Sequence, residues 1–144
     1  VLTMNANNPE MMRLVLANGG KKYVNSIYPD GSSTPLLDAT MGAARMSGDE
    51  LEKSYEIIRL LIDNGADIHK KSDFGTPLEI AHEMQDEKLA EFLQKCTAER
   101  TAKTQAMQAA RARKAQRLVF FLYSRDCGGL ATTAVFQAVW VGRP

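Results

Sequence analysis

Two short patterns alternate along the chain, and their recurrence limits its possible folds more than any single residue does. "PEMMRLVLANGG" (9–20) matches "YEIIRLLIDNGA" (55–66) nearly position for position: an acidic residue, two apolar residues, Arg, three apolar residues, a spacer, then Asn-Gly. "STPLLDA" (33–39) matches "GTPLEIA" (75–81), and "DEKLAEFLQK" (86–95) is a weaker third copy of the first pattern. The order is helix, turn, Thr-Pro-Leu, helix, turn, Thr-Pro-Leu, helix. Self-similarity at such spacing marks stacked supersecondary units.

Each piece has a local physical cause. In "EIIRLLID" the apolar residues Ile57, Ile58, Leu60, Leu61 and Ile62 cover more than one side of a helix. Such a helix has to be sandwiched between neighbours. Gly19 and Gly65 stand where a helix C-terminus favours a left-handed residue. Thr34 and Thr76 are N-cap residues, with Pro35 and Pro77 at the first helical position, where a missing N–H costs nothing. Leu36 and Leu78 then point inward, and "DG" (30–31) and "DFG" (73–75) signal turns between units. One such unit cannot bury its apolar face alone, whereas copies stacked side by side can.

These residues resemble an ankyrin repeat: a turn with Asp and Gly, a first helix opening on Thr-Pro-Leu, and an apolar second helix ending in Gly-Ala-Asp. "NGADIHKKSDFGTPLEIAHEMQDEKLAEFLQK" (64–95) is similar to one unit, and the resemblance covers residues 1–96. The fold it implies is all-α: an ankyrin-type helix-turn-helix repeat solenoid, followed by a long basic helix and an apolar C-terminal tail. The chain departs from the pattern in places. Thr34 and Thr76 are separated by more than the family period of about 33 residues. The excess falls in "RMSGDELEKS" (45–54), read as a polar insertion between two helices. The family's His after Thr-Pro-Leu, which helps tie adjacent turns, is Leu37 in one copy and Glu79 in the other, and the two turns differ in length from the pattern. "VLTMNANNPE" resembles the end of a first helix and the start of a second. The repeat domain (1–96) is therefore expected to begin upstream, or Val1–Ala6 to serve as a frayed cap.

After Lys95 no Asn-Gly follows. Residues 97–117 are rich in Ala, Gln, Arg and Lys, without Gly or Pro, and 86–117 reads as one long helix or two collinear ones. Its apolar face is thin (Ala98, Ala102, Met107, Ala109, Ala110), so it is expected to lean on something. The tail 118–144 opens on "LVFFLY" (118–123). Either it forms a hairpin through "SRDCGG", or the helix continues and a short buried helix follows. An exposed "LVFFLY" would be prone to aggregation, so it is expected to be buried against the repeats or a partner.

Charge separates the same regions. Residues 1–96 carry 10 Lys/Arg against 15 Asp/Glu, whereas 97–117 carry 6 against one. The basic residues Arg100, Lys103, Arg111, Arg113, Lys114 and Arg117 form either a solvated helix face or a patch for an acidic protein or RNA. A membrane interface is the least favoured of these. Two cysteines, Cys96 and Cys127, without CxxC spacing, suggest neither a disulfide framework nor a zinc cluster, and they suit a reducing intracellular compartment, cytoplasmic or nuclear.

No motif suggests an enzyme or a cofactor. "HEMQD" (82–86) has Asp86 where a zinc-protease HExxH needs its second His. His69 reads as a turn residue, and "NGGKK" (18–22) lacks the strand and helix of a phosphate loop. The expected function is a non-enzymatic protein–protein interaction module, an adaptor or a subunit of a larger assembly. The resemblance implies binding through the hairpin tips and the exposed faces of the first helices. That places Tyr28, Pro29, Asp30 and Ser32 at one tip and Lys71, Asp73 and Phe74 at the next. Met41, Glu83 and Met84 lie on the first helices, and Glu79 replaces the structural His. Phe74 and Tyr28 are the best anchors. The alternative is a structural spacer whose basic and apolar tail binds nucleic acid or a membrane-associated complex.

Overall fold

The structure, a computed structural model, describes residues 8–126. Five α-helices occupy them: α1 (Pro9–Ala17), α2 (Pro35–Ala43), α3 (Asp49–Asp63), α4 (Pro77–Glu83) and α5 (Glu87–Asp126). A 3-10 turn, Gly20–Tyr23, follows α1. Among the described residues there is no strand, only an isolated bridge between Ser72 and Gly75. The protein is all-α over this range. It divides into two units between Thr101 and Ala102.

Helix starts and stops in the first unit follow from single residues. Asn8 caps α1 by accepting from the N–H groups of Glu10 and Met11. The Thr34 hydroxyl accepts from Leu37 N–H, and Thr76 from Glu79 N–H, each just before a proline at the first helical position. Asp86 caps α5 by accepting from Leu89 N–H at 3.1 Å. Gly19 and Gly65, past the ends of α1 and α3, hold φ of 96° and 113°, a region that side chains other than glycine's rarely adopt.

Packing then sorts the helices into two layers. α1 packs on α3, α2 packs on α4, and α2 packs on α3. The start of α5 joins the α1–α3 layer. Tyr55 and Phe92 meet edge to face with ring centroids 4.6 Å apart, and Arg59 bonds Glu99 at 2.7 Å. Ile57, Ile58, Leu61 and Ile62 of α3 are fully buried because α3 has a helix on each side. Burial of such side chains contributes roughly 1.5–3 kcal/mol each. The matching residues of α1 divide differently: Met12 and Leu16 are buried, while Met11, Leu14 and Val15 are exposed. The arginine of each pattern copy reaches the next second helix, Arg13 to Glu56 and Arg59 to Glu99. Both pairs are half-exposed and, like most surface ion pairs, they set registration more than stability.

The segment 45–54 corrects the sequence reading. It is largely not an insertion between helices: Asp49–Ser54 are the first turns of α3, which has 15 residues where α1 has 9. Three carboxylates in the first turn, Asp49, Glu50 and Glu52, favour a helix N-terminus there. Ser54 is buried, and its hydroxyl bonds the Glu50 carbonyl at 3.0 Å and the Met46 sulfur at 3.1 Å.

α5 is one helix, and "LVFFLY" continues it to Asp126, which excludes the hairpin for those six residues. The expected burial of "LVFFLY" against the repeats is not seen. Leu118–Tyr123 are all exposed, as is every described side chain from 101 to 125. Ala98, Ala102, Met107, Ala109 and Ala110, the thin apolar face, are exposed as well. Val1–Ala6 and 127–144, including Cys127, lie outside the described residues. No helix among the described residues is long and apolar enough to cross a membrane.

Candidate partner-binding surface

The segments preceding α2 and α4 form two adjacent tips. In the first, Tyr28 N–H donates to the Ser33 carbonyl at 2.9 Å, and Gly31 N–H donates to the Tyr28 carbonyl at 2.8 Å. In the second, Ser72 and Gly75 exchange backbone bonds of 3.0 and 3.1 Å. Asp73 N–H donates to the Gly31 carbonyl at 3.2 Å and joins the two tips. Gly31 has φ +76°, and a Cβ there would lie 2.7 Å from Asp73 Oδ2, so only glycine admits this approach unstrained.

A second tie lies one turn away. Asn25 Nδ2 donates to the Gly65 carbonyl at 2.8 Å, and Asn25 Oδ1 accepts from Asp67 N–H at 2.9 Å. Backbone and amide groups thus connect the two tips and the segments that follow α1 and α3.

The expected tip residues differ in their surroundings. Pro29, Asp30, Lys71, Asp73 and Phe74 are exposed, and Phe74 shows 58 % of its surface. Ser32 is half-buried; its N–H and hydroxyl donate to Asp30, which holds that carboxyl below its usual range. Tyr28 is half-buried and bonded to Asp38. Burial first, then that bond and the charges of Asp38 and Asp30, raise its phenol well above the ordinary value. Asp38 also accepts from the Ser33 hydroxyl at 2.6 Å. Tyr28 therefore braces the first tip, and Phe74 is the aromatic side chain at the tips that stands in solvent.

On the first helices, Met41 is half-buried, while Glu83 and Met84 are exposed at the end of α4. Glu79 is exposed and completes a capping box: its carboxylate accepts from Thr76 N–H at 2.9 Å while its own N–H donates to the Thr76 hydroxyl. The backbone bond from Thr76 is the main cause that lowers its carboxyl below the usual range. The basic residues lie along α5. Arg100 is half-buried with its guanidinium beside Gly65, and Lys103, Arg111, Arg113, Lys114 and Arg117 are exposed.

Sequence reasoning missed Asn25, Asp38 and the pairing of Gly31 with Asp73. Asp38, in the first Thr-Pro-Leu copy, aligns with Ile80 of the second and carries no periodic signal; Asn25 falls between patterns. Burial raises the Cys96 thiol above its ordinary value, which suits a packing residue. Among the described residues no group of three His, Cys, Asp or Glu side chains could hold a metal ion. Compared with protein families, curated proteins and solved structures, the chain matches no family model, no curated protein and no solved structure.

Proposed function

We propose that the first unit is an ankyrin-type repeat module that binds another protein through its tips and first-helix ends, as an adaptor or subunit and without catalysis. Its layer order supports this reading. Helices opening on Thr-Pro-Leu pack together, second helices pack together, and capped turns join the layers. The observation that carries the binding role is Phe74. It is an exposed aromatic ring on a tip held by the Ser72–Gly75 bridge and by the bond from Asp73 to Gly31. A ring fixed in advance loses little entropy on binding, and aromatic anchors carry much of an interface's energy. Lys71 and Asp73 flank it with charges that would set specificity.

The test is affinity capture with the whole chain against Phe74→Ala and Lys71→Ala, followed by measured affinities for the proteins retained. Loss of about tenfold or more for Phe74→Ala, with unchanged thermal unfolding, supports the tips as the binding surface. Unchanged affinities would move the binding surface elsewhere.

A further inference from the structure

The second unit carries a feature that the repeat reading does not use. From 102 to 125 the chain has six basic residues (Lys103, Arg111, Arg113, Lys114, Arg117, Arg125) and no Asp or Glu. Six consecutive apolar residues, Leu118–Tyr123, lie inside this stretch, all helical and all exposed, from 46 % at Phe120 to 63 % at Phe121. At about 100° per residue they point all round the helix axis. A helix apolar on every side calls for apolar surroundings on every side.

We propose that this part of α5 docks on an anionic lipid surface, lying in the plane of the interface. Six residues span about 9 Å, far short of the roughly 30 Å of a bilayer core, so the segment lies on a membrane and does not cross it. Interfacial helices sink about 5–10 Å, enough to submerge most of a helix cross-section. Arg111, Arg113, Lys114 and Arg117 precede the apolar residues and Arg125 follows them. Their long side chains reach back to lipid phosphates from either end. Apolar insertion and cationic attraction are the two signals that together give stable attachment.

Other occupants fit less of this. A groove in a protein takes a helix with one apolar stripe. A second copy pairing this same stretch with itself would set cations against cations, with no carboxylate within 102–125. A nucleic-acid strand would meet the cations but leave Leu118, Val119 and Leu122 in water.

The experiment is flotation of the full chain with vesicles of phosphatidylcholine alone, or of phosphatidylcholine with phosphatidylserine. The unsubstituted chain should float with the phosphatidylserine vesicles only. Arg113→Gln/Lys114→Gln should weaken binding about 25-fold, at roughly fivefold per cation. Phe120→Ser/Phe121→Ser should weaken it at least about tenfold. All these residues lie outside the first unit, so its thermal transition should not move, and Phe74→Ala should float like the unsubstituted chain. Failure to float, equal flotation with phosphatidylcholine alone, or flotation indifferent to the two phenylalanines would overturn the proposal. Binding to RNA in place of vesicles would overturn it too.

Discussion

Asp73 and Gly31 meet backbone to backbone, at 3.2 Å, across neighbouring tips, and the Asp73 carboxylate fills the space where a Gly31 side chain would stand. The contact couples a left-handed backbone at one tip to the position of the next.

Gly31→Ala should therefore destabilise the first unit by about 1–2 kcal/mol, from the φ +76° backbone and from the crowding against Asp73. Removing the carboxylate relieves the crowding alone. In a double-mutant cycle followed by urea unfolding, Gly31→Ala should cost less in an Asp73→Gly background than in the unsubstituted chain. Equal costs in both backgrounds would show that the crowding contributes nothing.

Asn25→Ala removes the donor to Gly65 and the acceptor for Asp67. These groups are exposed, so the expected loss is about 1 kcal/mol, read as a lowered melting temperature. Asn25→Asp keeps an acceptor but loses the donor and adds a charge near Asp67. It should not recover full stability.

The raised phenol of Tyr28 gives stability a dependence on alkaline pH. The folded state binds this proton more tightly than the unfolded chain does. The contribution is complete below the ordinary tyrosine value of about 10 and is lost as pH rises above it. Tyr28→Phe should show a shallower fall in melting temperature across that range. It should also remove one of the late-titrating phenolates from the ultraviolet spectrum, Tyr55 being raised as well, chiefly by burial.

Thr76→Ala deletes the N-cap and half of the capping box and should cost about 1 kcal/mol. Glu79 titrates below its usual range, so its contribution is present above the unfolded value near 4.3 and is lost as pH falls. Glu79→Gln should flatten the acid limb of the stability curve. An acid limb identical to that of the unsubstituted chain would remove Glu79 from the account.

Leu93 and Met107 share one helix but differ in surroundings: Leu93 is fully buried, whereas Met107 is 57 % exposed. Leu93→Ala should cost about 2–5 kcal/mol by chemical denaturation, and Met107→Ala less than about 0.5. Similar costs for both would contradict the assignment of the start of α5 to the core.

What was legible in the sequence was local. Thr34 and Thr76 with their prolines mark helix starts because a cap depends on residues within one turn. Gly19 and Gly65 mark stops for the same reason. The apolar excess at 57–62 calls for two neighbours, and α3 has them. "DELEKS" reads as an insertion because a polar helical turn has no apolar period, and only its carboxylates point to a helix N-terminus. "LVFFLY" was ambiguous because aromatic and β-branched residues suit both strand and helix. What carried the helix through it was the lack of any Gly or Pro between Cys96 and Asp126. At the surface, the exposure of Phe74 was anticipated. The bracing of Tyr28 was not, since Asp38 reaches it through the fold.

The six residues by which α3 outgrows α1 were added at the helix start, away from the Asn-Gly stop and from both tips. Chain length and spatial pitch are thereby decoupled. The two Thr-Pro-Leu helices, α2 and α4, pack together although the α3 between them in sequence has 15 residues against the 9 of α1.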